Sequence, residues 1–132
     1  RFRLDPDPGA RPAWVDPNQL RAALLNLLRN AREALEDQEG GHIVVRARSL
    51  GAVATLEVID DGPGLEAKAA ERMFEPFFST KPQGTGLGLP MVQQIIQAQG
   101  GDVEIETTPG RGLTARITLP LATAAQREAL ES

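Results

Sequence analysis

The longest helical pattern lies in the first third of the chain. From Leu20 to Leu35, leucines and alanines recur every three or four positions, so that they form one stripe on a helix. Asp16 is a residue type that caps helices, and Pro17 suits the first helical position. The glycine pair at 40–41 supplies a stop signal. The pattern predicts a helix that begins at Pro17 and packs its apolar stripe against a core.

Alternation of apolar and polar residues predicts five strands. Two of them, Ile43–Arg48 and Val53–Asp60, follow the first helix, and two more, Asp102–Thr107 and Leu113–Leu119, come late in the chain. The opening Arg1–Leu4 has the composition of a strand that is entered midway. We therefore expect this chain to be a piece of a longer protein.

The remaining segments complete the order of elements. Residues 61–86 show no periodicity, and long irregular connections inside small domains are usually functional. A second helix is predicted from Leu87 to Gln99, with Pro90 in its first turn. This order predicts a two-layer α/β sandwich, in which a mixed sheet of about five strands carries the helices on one face. The predicted domain is 1–120, followed by a tail, 121–132, with helical potential.

Net charge and the counts of cysteine and histidine disfavour several kinds of partner and metal site. Fourteen basic and eighteen acidic side chains give a net charge of −4, which disfavours nucleic acid and anionic membrane as partners. There are no cysteines and one histidine, so neither a disulfide framework nor a zinc or iron site is expected. No apolar run approaches the roughly 20 residues of a membrane helix.

A polar stripe accompanies the apolar stripe of the first helix. Asn26, Asn30 and Glu33 lie at positions i, i+4 and i+7. A solvated helix edge explains any one of them, but asparagine is a mediocre helix former, and two in register are harder to explain that way. Amide oxygens are suitable neutral ligands for Mg²⁺ when phosphates supply the negative charge. The asparagines are therefore candidate ligands.

A carboxylate is predicted to point into the protein at the end of a strand. Asp60 has the same parity as Leu56 and Val58, which face the core, and a buried carboxylate needs hydrogen-bond donors. Gly62 and Gly64 follow it and let a ligand approach the backbone. Such an aspartate could accept from the exocyclic amine of adenine or from the N1 and N2 edge of guanine. A plain turn is the simpler alternative.

A glycine-rich segment precedes the second helix. The alternating glycines in Gly84–Leu89 gather backbone N–H groups at a helix start, which favours anion binding over a simple hinge. It is neither a P-loop nor a dinucleotide fingerprint. The preceding loop, Phe74–Lys81, holds three of the four phenylalanines, which could form core or a surface that closes over a ligand. Lys81, rather than Arg72, is the favoured cation for a polyphosphate. His42 has no acidic neighbour in sequence and is expected to be neither ligand nor nucleophile.

Together these segments resemble the ATP-binding catalytic domain of sensor histidine kinases, within the Bergerat-fold ATPases. The resemblance covers nearly the whole chain, from about residue 2 to 120. Each motif alone is weak, but four in the right order and spacing are specific. The N box, first glycine box, F box and second glycine box of that family are matched by Asn26–Ala31, Asp60–Gly64, Phe74–Lys81 and Gly84–Leu89. The long F box and residues 88–92 are most similar to kinases of the nitrogen-regulation class.

The resemblance implies ATP and Mg²⁺ as cofactors and a role for each matched position. Asp60 would bind the adenine amine, and Gly62 and Gly64 would border the base and ribose. Asn30 would coordinate Mg²⁺, with Asn26 helping at the metal or the phosphates.

Further roles fall on the loop between the glycine boxes and on the last strand. That loop would be a mobile lid, with its phosphate contacts at Gly84, Thr85, Gly86, Leu87 and Gly88. Thr114 would be the adenine-side threonine of the last strands. Ala115 stands where the family often has an aromatic residue, and Leu113 could equally be the aligned position.

The resemblance also implies an acceptor outside this chain. Hydrolytic relatives carry a glutamate as general base four residues before the metal-binding asparagine, and here that residue is Asn26, which has no useful basicity. The expected reaction is therefore transfer of the γ-phosphoryl group to a histidine on an upstream dimerisation domain. The phosphoryl group would then pass to the receiver domain of a response regulator. The implied location is the cytoplasm, including the cytoplasmic part of a membrane-anchored sensor, with no nucleic-acid or membrane contact by this domain.

Two other classes of function compete with the histidine kinase. An ATP-driven clamp of the gyrase or chaperone type lacks support because the glutamate is missing. An anti-sigma-type serine kinase, or a non-catalytic ATP-sensing or docking module, is the alternative to the histidine kinase, and the intact motifs argue against decay.

Overall fold

The computed structural model describes residues 2–5, 15–76, 88–107 and 109–121. The strands are β1 (Phe2–Asp5), β2 (Ile43–Leu50), β3 (Val53–Asp60), β4 (Asp102–Thr107) and β5 (Leu113–Pro120). They form one sheet in the order β1-β2-β3-β5-β4. β1 pairs in parallel with β2, and the other three pairs are antiparallel. The predicted mixed sheet of five strands is confirmed.

The first helix, α1 (Pro17–Ala34), begins where it was predicted to begin. The Asp16 carboxylate accepts from the backbone N–H groups of Asn18, at 2.9 Å, and Gln19, at 3.3 Å. The helix ends well before the glycine pair that was expected to stop it. Its last turn tightens, because the N–H of Leu35 donates to the carbonyl of Arg32 at 3.1 Å, three residues back. The predicted stop at the glycine pair is therefore wrong, because α1 ends six residues before Gly40.

The hairpin between β2 and β3 is tighter than predicted. Strand β2 extends to Leu50 instead of ending at Arg48, and Leu50 pairs with Val53. The connection is then the two residues Gly51 and Ala52, with Gly51 at a φ of +60°. A two-residue connection matches the twist of antiparallel strands, which explains why pairing continues to the turn.

Two helices follow β3. The first, α2 (Ala67–Arg72), lies in a segment predicted to be irregular, and it is too short for an apolar period to reveal it. The second, α3 (Gly88–Gln97), ends two residues before the predicted end. Gly100, at a φ of +82°, lets the N–H of Gly101 reach back to the carbonyl of Ile96 at 3.0 Å, which closes the helix.

One face of the sheet carries α1 and α3, as the two-layer prediction requires. A single cluster joins residues of both helices to the inward positions of β2, β3, β4 and β5. The opposite face carries charged side chains on neighbouring strands. In the described part of the chain, no helix has the length and apolar character needed to cross a bilayer. The buried apolar residues are Ala23, Leu27, Ala31, Val45, Val58, Leu89, Val92, Ile96, Val103, Ala115, Ile117 and Leu119.

Apart from Leu121, the predicted tail lies outside the described residues. The N–H of Leu121 donates to the carbonyl of Ala52 at 2.9 Å.

Candidate functional site

A buried carboxylate lies at the end of β3, where the alternation of that strand predicted it. Asp60 is 5% exposed and is the buried charged residue of the described core. Its Oδ1 accepts from the backbone N–H of Gly62 at 3.0 Å. A carboxylate that is held by the backbone of its own loop has a fixed orientation, which suits it to recognise a ligand edge by hydrogen bonding.

The loop after Asp60 packs against the end of α1, and the contact requires a glycine. A Cβ placed on Gly62 would lie 3.0 Å from Oδ1 of Asp60 and 3.2 Å from the carbonyl oxygen of Ala34. Because both neighbours are close, a side chain at Gly62 would displace the carboxylate or the helix end. Gly64, two residues on, has a φ of +69°, so this loop turns through a conformation that favours glycine.

The two candidate amides lie on α1, half-buried. Nδ2 of Asn26 donates to the carbonyl of Ala22 at 3.1 Å, one turn back, and contacts Sδ of Met91 at 3.8 Å. Since only the nitrogen of an amide can donate to a carbonyl, this bond determines which way the Asn26 side chain faces. Its Oδ1 is thereby turned towards the beginning of α3.

Both amides meet the first residue of α3. A Cβ on Gly88 would lie 3.8 Å from Oδ1 of Asn26, and 3.8 and 3.9 Å from Oδ1 and Nδ2 of Asn30. Gly88 also begins a helix, whose N-terminal end carries a partial positive charge. Two neutral oxygen ligands and a positive helix end therefore adjoin one another, an arrangement that fits a metal-bound polyphosphate.

One row of α1 connects this cluster with the loop after Asp60. Asn26, Asn30 and Ala34 are spaced four residues apart, so they lie along one face of the helix. Gly88 lies against the first two, and Gly62 lies against the third. Eight residues of helix span about 12 Å. The carboxylate loop and the amides thus lie at opposite ends of one short ridge.

Several predicted site residues lie outside the described residues. These are the cation Lys81 and the phosphate-loop positions Gly84, Thr85, Gly86 and Leu87, together with Phe77 and Phe78 of the aromatic cluster. Phe74, which is described, packs against the core.

The structure does not bring Thr114 to the site. In the pairing of β3 with β5, Leu113 lies opposite Asp60 and Thr114 lies opposite Ile59. Because neighbouring residues of a strand face opposite sides, the Thr114 side chain is on the face away from the Asp60 carboxylate. Leu113, the alternative position, lies on the same face as Asp60 and packs against the core.

His42 has an acidic partner that the sequence analysis missed. Its Nδ1 lies 3.1 Å from Oδ2 of Asp61, and its backbone N–H donates to Oδ1 of Asp61 at 2.7 Å. That backbone hydrogen bond is the main reason why the pKa of Asp61 is below its usual value. Counting back from the two-residue turn between β2 and β3 would have put His42 opposite Asp61.

Among the described residues, no three His, Cys, Asp or Glu side chains form a cluster suited to a metal ion. The amide oxygens of Asn26 and Asn30 do not belong to those residue types. They fit a cation whose remaining ligands come from phosphate.

Comparison with known proteins gives one family. The profile described as "Histidine kinase-, DNA gyrase B-, and HSP90-like ATPase" matches residues 15–123. The sensory histidine kinase/phosphatase NtrB of Rhodobacter capsulatus is 44% identical over 131 residues, covering 89% of this chain and 36% of NtrB. The nitrogen regulation protein NtrY of Azorhizobium caulinodans is 41% identical over 118 residues, covering 85% of this chain and 15% of NtrY. The chain therefore spans well under half the length of these relatives.

Solved structures are similar over nearly all of the chain. The nucleotide-free catalytic domain of the histidine kinase ThkA has a TM-score of 0.80 and 28% identity, covering 92% of this chain and 80% of that structure. Full-length ShkA in complex with AMPPNP has a TM-score of 0.82 and 31% identity, covering 93% of this chain and 26% of that structure.

Proposed function

This chain belongs to the histidine kinase-, DNA gyrase B- and HSP90-like ATPase family, as an ATP-binding catalytic domain of the sensor histidine kinase type. On that premise we propose that it binds Mg·ATP along the ridge of α1 and transfers the γ-phosphoryl group to a histidine on an upstream dimerisation domain. Its similarity to NtrB and NtrY supports the nitrogen-regulation-like class.

The observation that carries the proposal is the row that Asn26, Asn30 and Ala34 form along one face of α1. The row puts Gly62, whose N–H holds the Asp60 carboxylate, at one end and the Asn26 and Asn30 amides at the other. In our proposal the carboxylate accepts from the adenine amine, and Gly62 and Gly64 border the base and ribose. The triphosphate then extends along the ridge towards Gly88.

The metal in this proposal is Mg²⁺, which the amide groups of Asn30 and Asn26 would hold together with the phosphates. The orientation of Oδ1 in Asn26, set by the Ala22 hydrogen bond, supports this assignment. Bound there, the ion would neutralise phosphate charge. Lys81 and the loop residues Gly84, Thr85, Gly86 and Leu87 complete the proposed phosphate contacts, on the basis of the sequence motif alone.

The choice of phosphoryl acceptor follows from the lack of a general base at Asn26. The Asn26 amide is not basic enough to activate water, so hydrolysis of ATP is slow and the γ-phosphoryl group is transferred to a stronger nucleophile. A neutral imidazole nitrogen attacks the γ-phosphorus, the bond from that phosphorus to the bridging oxygen breaks, and ADP leaves with the electron pair. The proton of the attacking imidazole passes to solvent. Phosphoryl transfer depends mainly on positioning and charge neutralisation, so a site without a base suffices.

Partners and location complete the proposal. The dimerisation domain presents the acceptor histidine, and a receiver domain takes the phosphoryl group onto an aspartate. We place the reaction in the cytoplasm, where ATP is supplied. The proposal divides the chain into a catalytic domain, 1–120, and a tail, 121–132.

Mg-dependent ATP binding tests the site directly. We expect Asp60→Asn and Asn30→Ala each to weaken binding at least about tenfold, since each removes a charge-assisted contact. Asn18→Ala, an exposed asparagine at the start of the same helix, is the matched control and should bind as the unaltered chain does. Equal affinity in all four proteins would remove the proposed site.

The acceptor is tested by supplying substrates in trans. With γ-labelled ATP, we expect label on a histidine-bearing helical hairpin, and none on a serine substrate or on His42. Label on serine would favour the anti-sigma-type kinase instead.

A further inference from the structure

The turn between β4 and β5 is hydrogen-bonded to the loop that follows Asp60. The N–H of Gly110 donates to the carbonyl of Pro63 at 2.6 Å. On the other side of Gly64, the N–H of Leu65 donates to Oγ1 of Thr107 at 2.9 Å. Two hydrogen bonds thus bracket Gly64, the residue of this loop with a left-handed backbone.

The hydroxyl of Thr107 is the centre of this connection. It accepts from Leu65 and donates to the carbonyl of Gly112 at 2.8 Å. Both groups belong to the backbone, and the side chain is half-buried. A hydroxyl is required here, because an alkyl group of the same shape can neither accept nor donate.

The same turn also contacts the backbone of Asp60. Gly112 has a φ of +82°, and a Cβ on it would overlap the carbonyl oxygen of Asp60. The turn is therefore packed directly against the backbone of Asp60, while its hydrogen bonds hold the loop from Pro63 to Leu65.

From these contacts we propose that Thr107 is a positioning residue for the nucleotide base. Its hydroxyl fixes the loop whose Gly62 N–H orients the Asp60 carboxylate, so that the loop is already ordered when the base arrives. The proposal rests on the proposed function, because it assumes that Asp60 contacts adenine. A loop that must be ordered on binding weakens affinity, whereas a preordered loop does not.

This role predicts a separation between binding and chemistry. The turn contacts the base end of the site, and the amides lie at the other end of the ridge. Removing the hydroxyl should therefore raise the Kd for Mg·ATP and Mg·ADP by the same factor, about fivefold for one hydrogen bond. The kcat for transfer to the histidine-bearing hairpin should change less than about twofold, since catalysis needs only the positioned phosphates.

The experiment compares Thr107→Val, which keeps the shape, with Thr107→Ser, which keeps the hydroxyl. Thr55→Val is the matched control, because Thr55 is a half-buried strand threonine near the opposite end of β3. Kd and kcat are measured for each variant, together with hydrogen exchange of the Leu65 amide in nucleotide-free protein. We expect faster exchange and weaker binding in Thr107→Val, recovery in Thr107→Ser, and no change in Thr55→Val.

Two results would overturn the proposal. A parallel measurement on Asp60→Asn distinguishes failure of the positioning role from failure of the nucleotide site. Unchanged nucleotide affinity in Thr107→Val, with Asp60→Asn impaired, overturns the positioning role alone. Unchanged affinity in Asp60→Asn overturns the nucleotide site and this role with it. If Thr107→Val does not fold, Thr107→Ala replaces it, because the smaller side chain cannot overpack the turn.

Discussion

Replacing Arg116 with methionine should destabilise the fold by about 2 kcal/mol, because it removes the guanidinium that donates two hydrogen bonds to the partly covered carboxylate of Glu57. Arg116 lies on the face of β5 away from the helices, directly between Glu57 on β3 and Glu104 on β4. Its Nε and Nη2 donate to Oε2 of Glu57 at 3.2 and 3.0 Å. Its Nη1 donates to Oε1 of Glu106 at 2.8 Å and lies 3.7 Å from Oε2 of Glu104.

The magnitude follows from how far each carboxylate is covered. The Glu57 side chain is 13% exposed and Arg116 is 25% exposed, so this pair is partly shielded from solvent. Loss of one partner of a fully buried pair costs about 3–5 kcal/mol, and partial exposure reduces that figure. Glu104 and Glu106 are well exposed, and exposed pairs contribute little.

Urea denaturation followed by far-ultraviolet circular dichroism measures the loss. Arg48→Met is the control, because Arg48 is an exposed arginine on the same sheet face and should cost less than about 0.5 kcal/mol. Adding Glu57→Gln to Arg116→Met should recover about 1 kcal/mol, since an amide leaves no uncompensated charge. A double variant as unstable as the sum of the two single variants would refute the reasoning.

The pH dependence gives a second check on the same substitution. Arg116 lowers the pKa of Glu106 by hydrogen bonding and charge, so this contribution to stability is complete above the unfolded value near 4.5. It is lost as the pH falls through the lowered pKa. The difference in stability between the unaltered chain and Arg116→Met should therefore shrink by a small amount below pH 4.5, and a difference that grows as the pH falls to 3 would contradict the mechanism.

Three further outcomes are expected. Gly101→Ala should destabilise the fold by about 1–3 kcal/mol, because a Cβ would overlap the carbonyl oxygen of Thr118; a melting temperature equal to that of the unaltered chain would contradict this packing. Asn26→Glu should raise ATP hydrolysis at least about tenfold by supplying a base, as measured by phosphate release, with Asn26→Gln as the inactive control. In His42→Ala the pKa of Asp61 should stay below 3.8 in an NMR titration, because its largest cause is the His42 backbone N–H, which the substitution retains; a return to 3.8 would assign the effect to the imidazole.

The sequence was sufficient where one local signal decides the structure. The alternation in Val53–Asp60 predicted both ends of β3 and the inward direction of Asp60. The cap at Asp16 likewise predicted the start of α1. These features depend on residues within one element, so no tertiary contact was needed to infer them.

The sequence was insufficient where tertiary contacts decide. The end of α1 lies at a tertiary contact, because the side chain of Leu35 packs against Gly41: a Cβ on that glycine would lie 2.8 Å from Cδ2 of Leu35. The His42–Asp61 pair depends on strand register, which alternation alone does not determine. The face of Thr114, by contrast, follows from the alternation of Leu113–Leu119, in which Ala115, Ile117 and Leu119 face the core. The hydroxyl of Thr107 joins segments that lie 42 residues apart in sequence.

In the proposed complex, one helix contacts both ends of the nucleotide and sets the distance between them. Asn26 and Ala34 belong to one continuous α1, so the interval between the amides and Gly62 does not change without unwinding that helix. We therefore expect any rearrangement between ATP-bound and ADP-bound states to occur in the parts that pack against α1, such as the first turn of α3 at Gly88. The distance between the amides and Gly62 would then be the same in both states.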